Sequence, residues 1–237
     1  MSPRLNAYGQ AIGSPVAGWN ERQGPGRITL SGRYCQVTPV DVERDATALF
    51  NGYMSAADDR DWTYLAQERP TSLASFREYL AKKVASDDPL HYAIIDGASE
   101  RAVGTAALMR IEPVHGVIEV GYITFTPELK KTRASSEAMY LLMRYVFDEL
   151  GYRRYEWKCD SLNAPSRAAA RRYGFEFEGI FRQAVVYKGR NRDTAWFSII
   201  DKDWPRIRTA FETWLNPDNF DAAGQQRRAL ATIRDSL

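Results

Sequence analysis

An α+β fold, with a mixed and mostly antiparallel sheet flanked by helices, follows from three features of the amino-acid sequence. Alternating β-rich runs at 91–96, 102–111 and 117–125 are separated only by Gly97 and by the turn 112–116, the spacing of an antiparallel meander. Residues 133–150 then switch to a helical period, with Ala138, Leu141, Leu142, Tyr145 and Val146 on one face and Gly151 as the stop. Beyond Gly151 a strand, a short helix and two long strand-like runs complete the sheet. At 237 residues with 44% hydrophobic and 26% charged side chains, the chain has the composition of an ordinary globular protein with one sizeable core.

Taken in order, residues 1–30 carry repeated Gly and Pro without periodicity and read as an extended arm, with Leu5, Tyr8 and Trp19 as candidate anchors. Alternation over 33–40 predicts a first strand. Asp41 then opens a helix carrying Ala46, Leu49, Phe50 and Tyr53. A polar, aromatic stretch at 58–70 leads to a second helix capped by Thr71 or Ser72, with Leu73, Phe76, Leu80 and Val84 on its apolar stripe. The meander and the helix at 133–150 follow. Residues 154–159 read as a strand, and 164–172 as a short helix with Asn163 at its cap and Pro165 in its first turn, where a missing amide is harmless. Runs at 175–188 and 193–200, joined by a turn at 188–192 containing Gly189 and Asn191, give the last strands. A final helix starts near Asp203. Residues 31–215 thus form the domain, and 216–237 a tail whose Ala229, Leu230, Ile233 and Leu237 form a short helix with a seam for its own domain or for a second copy.

Charge narrows the function. Lys plus Arg total 32 against 30 Asp plus Glu, so no global field captures nucleic acid, and any anion site must be local. Cys35 and Cys159 lie far apart in strand-like segments, which argues against a disulfide framework or a zinc site, and neither His91 nor His115 has metal-ligand spacing. No window reaches the length of a membrane span and the first residues lack the apolar core of a signal peptide. The expectation is a cytoplasmic protein with no metal, no membrane and no nucleic-acid partner, a monomer or homodimer.

The element order, together with Val120-Gly121-Tyr122, Thr126-Pro127-Glu128, Ser136-Glu137-Ala138 and Asn163-x-x-Ser166 ahead of Gly174-Phe175, resembles the GNAT acetyltransferases, and within them the Rim-type branch, over roughly residues 30–200. That branch acetylates protein N-termini, ribosomal proteins among them, and includes small-molecule enzymes. The resemblance implies a sheet splayed between its fourth and fifth strands, acetyl-coenzyme A as co-substrate, and direct transfer of acetyl to a primary amine without a covalent enzyme intermediate. It also implies a pyrophosphate loop at Lys130, Lys131, Thr132, Arg133, Ala134, Ser135 and Ser136. The family's loop glycines are absent here, so the expectation is that helix-end amides and the cations of Lys130, Lys131 and Arg133 share the phosphate charge.

Acetyl transfer needs a neutral nucleophile, a polarised carbonyl and a settled leaving thiolate. Alternation puts Glu119 on one face with Val117, Gly121 and Ile123, apolar company that would raise its pKa and suit a base; the resemblance points to the same position, and pairing with a nearby Arg is the structural alternative. Gly121 in a β-rich run signals a bulge or a close backbone approach, and an amide near Val120 or Gly121 would meet the thioester oxygen. The tyrosine that many family members use as acid is replaced by Ala170; the Rim-type resemblance instead implies Ser166 as hydrogen-bond donor to sulfur, with helix capping as its structural alternative, and Asn163 as a cofactor contact or merely a cap. On the acceptor side, Asp58, Asp59 and Asp61 would attract an ammonium group, with Trp62 and Tyr64 as an aromatic wall. Two other readings stand beside the enzyme. One is an acyl-coenzyme A sensor that binds without turnover; the other is nucleic-acid binding through Arg167, Arg171, Arg172, Lys188, Arg190 and Arg192.

Overall fold

The computed structural model describes residues 4–237. The first three residues of the expected 1–30 arm lie outside the described residues. The rest of that arm carries a small hairpin, β1 (Arg4–Leu5) with β2 (Ala11–Ile12), and then a two-residue strand, β3 (Leu30–Ser31), on the edge of the main sheet. Of the expected anchors only Trp19 holds: its indole donates to the Val114 carbonyl at 3.0 Å and Arg22 lies 4.6 Å over its ring. Leu5 and Tyr8 are exposed because the β1–β2 hairpin satisfies its own backbone and needs no apolar seat.

The main sheet continues through β4 (Cys35–Pro39), helices α1 (Val42–Met54) and α2 (Leu73–Val84), then β5 (Leu90–Asp96), β6 (Ala102–Glu112) and β7 (Val117–Phe125). Asp41 and Ser72 cap α1 and α2 by accepting from the amides of Arg44 and Ser75. Helix α3 (Arg133–Arg144) follows, then β8 (Arg154–Asp160), α4 (Ala164–Arg172), β9 (Glu176–Tyr187), β10 (Arg190–Ile200), α5 (Trp204–Leu215) and α6 (Leu230–Asp235). The strand order is β3-β4-β5-β6-β7-β8-β10-β9, with every pair antiparallel except β7 and β8. The expected mixed, mostly antiparallel sheet is what forms.

Two helical layers cover the sheet on opposite faces. Ile118, Val120, Tyr155 and Trp157 join α3 and α5 in the larger core, whereas Ala93 and Ala102 join Ala46, Leu49, Tyr53, Phe76 and Leu80 of α1 and α2 in the smaller one. Helix α3 is buried without a break from Ala134 to Met143, the pattern of a helix enclosed between a sheet and another helix. Its Glu137 is buried and accepts from the amides of Arg33, Tyr34 and Cys35 at 2.6–2.9 Å, so one carboxylate ties α3 to the β3–β4 turn.

Two local departures from the sequence reading have physical causes, and the tail takes one of the two courses expected of it. The helix expected through residue 150 widens to a π turn at Tyr145–Glu149, where Tyr145 Oη takes the Gly26 amide and Asp148 takes the Trp204 indole. The β9–β10 turn spans only Lys188 and Gly189, at φ of 50° and 68°, a primed hairpin that matches strand twist; Asn191 lies in β10 and donates to Asp193. In the tail, Leu230 and Ile233 are buried, and the Arg234 guanidinium donates to the last carbonyls of α4 at Arg171 and Arg172. Leu230 and Ile233 of the expected seam thus dock on this chain's own domain, whereas Leu237 stays exposed.

Candidate active site

Strands β7 and β8 start side by side and then separate. Val117, Ile118, Glu119 and Val120 pair with Arg154, Tyr155, Glu156 and Trp157, and there the pairing stops. Five further residues of β7, from Gly121 to Phe125, have no β8 partner, while Lys158, Cys159 and Asp160 of β8 stay paired with β10 alone. A wedge opens at the C-terminal ends of two parallel strands, the position at which sheets of this kind receive ligands. Because α3 follows β7 and α4 follows β8, both helices begin at that open end.

A bulge in β7 widens the wedge. The β6–β7 register jumps between Thr105/Thr124 and Ala107/Gly121, so Ala106 faces two residues, and Tyr122 takes up the strain at φ 50°. The bulge anticipated at Gly121 thus sits one residue later. Gly121 itself answers to close approach: a Cβ there would lie 2.5 Å from Met109 Sδ.

Glu119 stands at the foot of the wedge on the face away from α3. It is buried, yet its company is ionic rather than apolar: Arg110 Nε lies 3.0 Å and Lys158 Nζ 2.9 Å from Oε2. Lys158 also reaches Glu156 at 2.7 Å, and Arg154 joins Glu156 at 2.6 Å and Glu178 of β9 beyond it, so a string of alternating charges runs from β7 along β8 to β9. Burial pushes the Glu119 carboxyl above its ordinary range against the opposing pull of Lys158 and Arg110. The expected direction holds, although both the apolar-company argument and the simple Arg pair miss Lys158.

On the α3 face, Trp157 occupies the last paired position, and its indole donates to Ser166 Oγ at 2.9 Å. The Ser166 hydroxyl accepts that bond and keeps its own hydrogen to give. Asn163 caps α4 by accepting from the Ser166 amide at 3.1 Å, which leaves its side-chain NH2 without a partner among the described residues. Cys159 is a buried free thiol pushed up by burial, and so is Cys35; neither has the environment of a nucleophile.

The start of α3 divides the expected phosphate loop. Thr132 is its cap, accepting from the Ser135 amide at 3.1 Å, and Lys131 turns the chain at φ 60° with its side chain exposed. Lys130 instead points to Asp61 in the α1–α2 loop and forms an ion pair. Arg133 stacks between Tyr34 and Phe220, 4.9 and 4.6 Å from the ring centres. Arg172 adds a cation that sequence reasoning had placed only in the candidate nucleic-acid set: its guanidinium donates to Ser136 Oγ at 2.9 Å, in the first turn of α3. No spacing rule signals that contact, since it joins the end of one helix to the start of another.

Across the sheet, Trp62 is buried edge-on against Tyr53, and Tyr64 Oη donates to the Leu162 carbonyl. Lys188 donates to the Trp62 carbonyl and to Glu68, and Arg190 to the Thr63 carbonyl, so the β9–β10 turn clasps the α1–α2 loop. Two cations of the set considered for nucleic acid, Lys188 and Arg190, are thus engaged within the fold.

Residues 37–176, more than half of the chain, match the family model described as an acetyltransferase (GNAT) domain. The chain belongs to the GNAT acetyltransferase family. A crystal structure of a GCN5-related N-acetyltransferase from Brucella melitensis is 48% identical, covers 93% of this chain and all of its own, and superposes with a TM-score of 0.91. The Bacillus subtilis protein named "Putative ribosomal N-acetyltransferase YdaF" is 26% identical over 172 residues, 70% of this chain and 89% of its own length. RimL, a ribosomal alpha-N-protein acetyltransferase solved with coenzyme A, shares the fold at 20% identity and a TM-score of 0.59, over 73% of this chain and 99% of its own. The GNAT protein described here is accordingly an acyltransferase of N-acetyltransferase type with the expected splayed sheet. No helix among its described residues is long and apolar enough to cross a membrane.

Proposed function

We propose that this GNAT protein transfers acetyl from acetyl-coenzyme A to a primary amine by direct attack inside the β7–β8 wedge. The observation that carries the reading is the end of β7–β8 pairing at Val120–Trp157, with Glu119 on one face of the opening and Ser166 on the other. The backbone of Val120 and Gly121 offers hydrogen bonds to the pantetheine arm and to the thioester oxygen, as unpaired strand edges do. Diphosphate lies at the start of α3, over the amides of Arg133, Ala134, Ser135 and Ser136, where the helix end favours an anion. Lys131, Arg133 and Arg172 supply full charge in place of loop glycines. Lys130 serves the fold through Asp61 and contributes less than the sequence suggests.

Glu119 removes the ammonium proton, directly or through a water, and the neutral amine nitrogen attacks the thioester carbon. The carbon–nitrogen bond forms and the carbon–sulfur bond breaks. Sulfur leaves on the Ser166 side, where the hydroxyl hydrogen and the Asn163 amide meet it; the second proton, shed by the attacking nitrogen as the amide forms, ends on the thiolate to give the free thiol, and the proton held by Glu119 returns to solvent. Burial raises the Glu119 pKa against the opposing pull of Lys158 and Arg110, the direction that suits a general base. The chain is a cytoplasmic enzyme in this account, with Trp62 and Tyr64 lining the acceptor side.

Free-thiol release from acetyl-coenzyme A across a panel of peptides, polyamines and small amines tests the proposal. Release with at least one class supports it. Binding of acetyl-coenzyme A without release from any amine would favour a sensor instead.

A further inference from the structure

A cavity of roughly 160 Å³ lies between α1, α2 and the sheet, walled by Tyr53, Trp62, Phe76 and Tyr79 and floored by Thr105 and Thr124. Thr124 belongs to the stretch of β7 that has left β8, so the cavity opens on the same segment as the wedge. Four aromatic walls around that volume suit one ring, since an apolar cavity of about 150 Å³ admits benzene.

Two charged side chains line this chamber, Glu68, which Lys188 neutralises, and Lys83. Lys83, half-buried near the end of α2, holds Nζ 4.1 Å from the ring centre of Tyr122 and 4.6 Å from that of Tyr79. Among the described residues no carboxylate lies within ion-pair distance of it, whereas the nearby Glu68 is taken by Lys188 at 2.8 Å. Beneath it, Tyr122 packs edge-on against the buried His91. Burial pushes the Lys83 ammonium down to about 8, so near neutrality it stays charged in a place that disfavours charge. Tyr122 is the bulge residue of β7, which puts the lysine against the part of the strand next to Gly121.

Resting on the acetyltransferase reading, we infer that the acceptor is a primary amine that also carries a carboxylate and a single aromatic ring, with the ring in the cavity and the carboxylate on Lys83. An aromatic α-amino acid meets this description: its carboxylate and amine are separated by one carbon, so pairing the first with Lys83 holds the second over the β7 bulge. The product is then the N-acetyl amino acid.

Matched pairs test this: L-phenylalanine against phenethylamine and L-tyrosine against tyramine, by thiol release. The inference predicts kcat/KM at least about tenfold higher for the amino acid of each pair, the worth of one partly desolvated ion pair. Lys83→Met should collapse that ratio through KM, and Lys83→Arg should restore part of it. Equal rates within each pair, or a ratio that survives Lys83→Met, would overturn the inference and leave the acetyltransferase reading standing. Release with peptides or polyamines but with neither aromatic class has the same consequence. If no amine releases thiol, calorimetry with N-acetyl-L-phenylalanine still decides it: binding to the native protein, weakened about tenfold in a thermally folded Lys83→Met, supports it, and no binding to the native protein overturns it.

Discussion

Replacing Glu119 by Gln separates catalysis from folding because of the way its partners are shared. The substitution removes the negative charge and the base while keeping the shape of the side chain. Stranding a buried cation would cost about 3–5 kcal/mol, but Lys158 retains Glu156 at 2.7 Å and Arg110 is largely exposed, so stability should fall by less than about 2 kcal/mol. The chemical step loses more. A positioned base contributes roughly 10²–10⁴-fold, or about 3–5 kcal/mol at 1.36 kcal/mol per decade. In the native enzyme kcat/KM should rise with pH as the Glu119 carboxyl loses its proton, above its ordinary value of 4.5, and that acid limb should vanish in the variant. Thiol release at several pH values, with acetyl-coenzyme A affinity measured alongside, provides the assay. A variant that retains the native rate to within about threefold, with the acid limb intact, would refute the assignment.

Other consequences follow from the same geometry. Lys158→Met removes a cation that lowers the Glu119 pKa, so the acid limb of the kcat/KM profile should move to higher pH; an unmoved limb would mean that another group titrates there. Gly121→Ala places a methyl 2.5 Å from Met109 Sδ and should cost about 1–3 kcal/mol in urea unfolding, much of it regained in the double variant with Met109→Ala. His91, buried and beside Lys83 and Arg27, has its pKa lowered from 6.5 to about 3. The unfolded chain therefore binds the extra proton between those values, and stability falls as pH drops below 6.5, by about 2 kcal/mol at pH 5. Denaturant titrations at pH 7 and 5 should show this loss in the native protein and a smaller one in His91→Asn.

Much of the fold was legible because its signals are local. Period-2 alternation marked the meander, Gly151 marked a helix end, and Asp41, Ser72 and Asn163 announced their caps. The splay itself came from resemblance to a family, since nothing in the residues 121–125 states that a parallel neighbour will leave them. Glu119 could be placed on a face by alternation, but its partner Lys158 sits on another strand, and cross-strand register is invisible without knowledge of which strands adjoin. The same limit hid Arg172 from the α3 terminus and Lys130 from Asp61. Lys83 escaped notice for a different reason: on its helix it is one of two adjacent lysines, and only the aromatic rings of Tyr79 and Tyr122 set it apart from Lys82.

Amide hydrogen exchange, read with and without acetyl-coenzyme A, examines the wedge most directly. The account predicts new protection concentrated in β7 from Gly121 to Phe125 and in the first turn of α3, with β5 and β9 unchanged. Protection absent from β7 while acetyl-coenzyme A is demonstrably bound would contradict it.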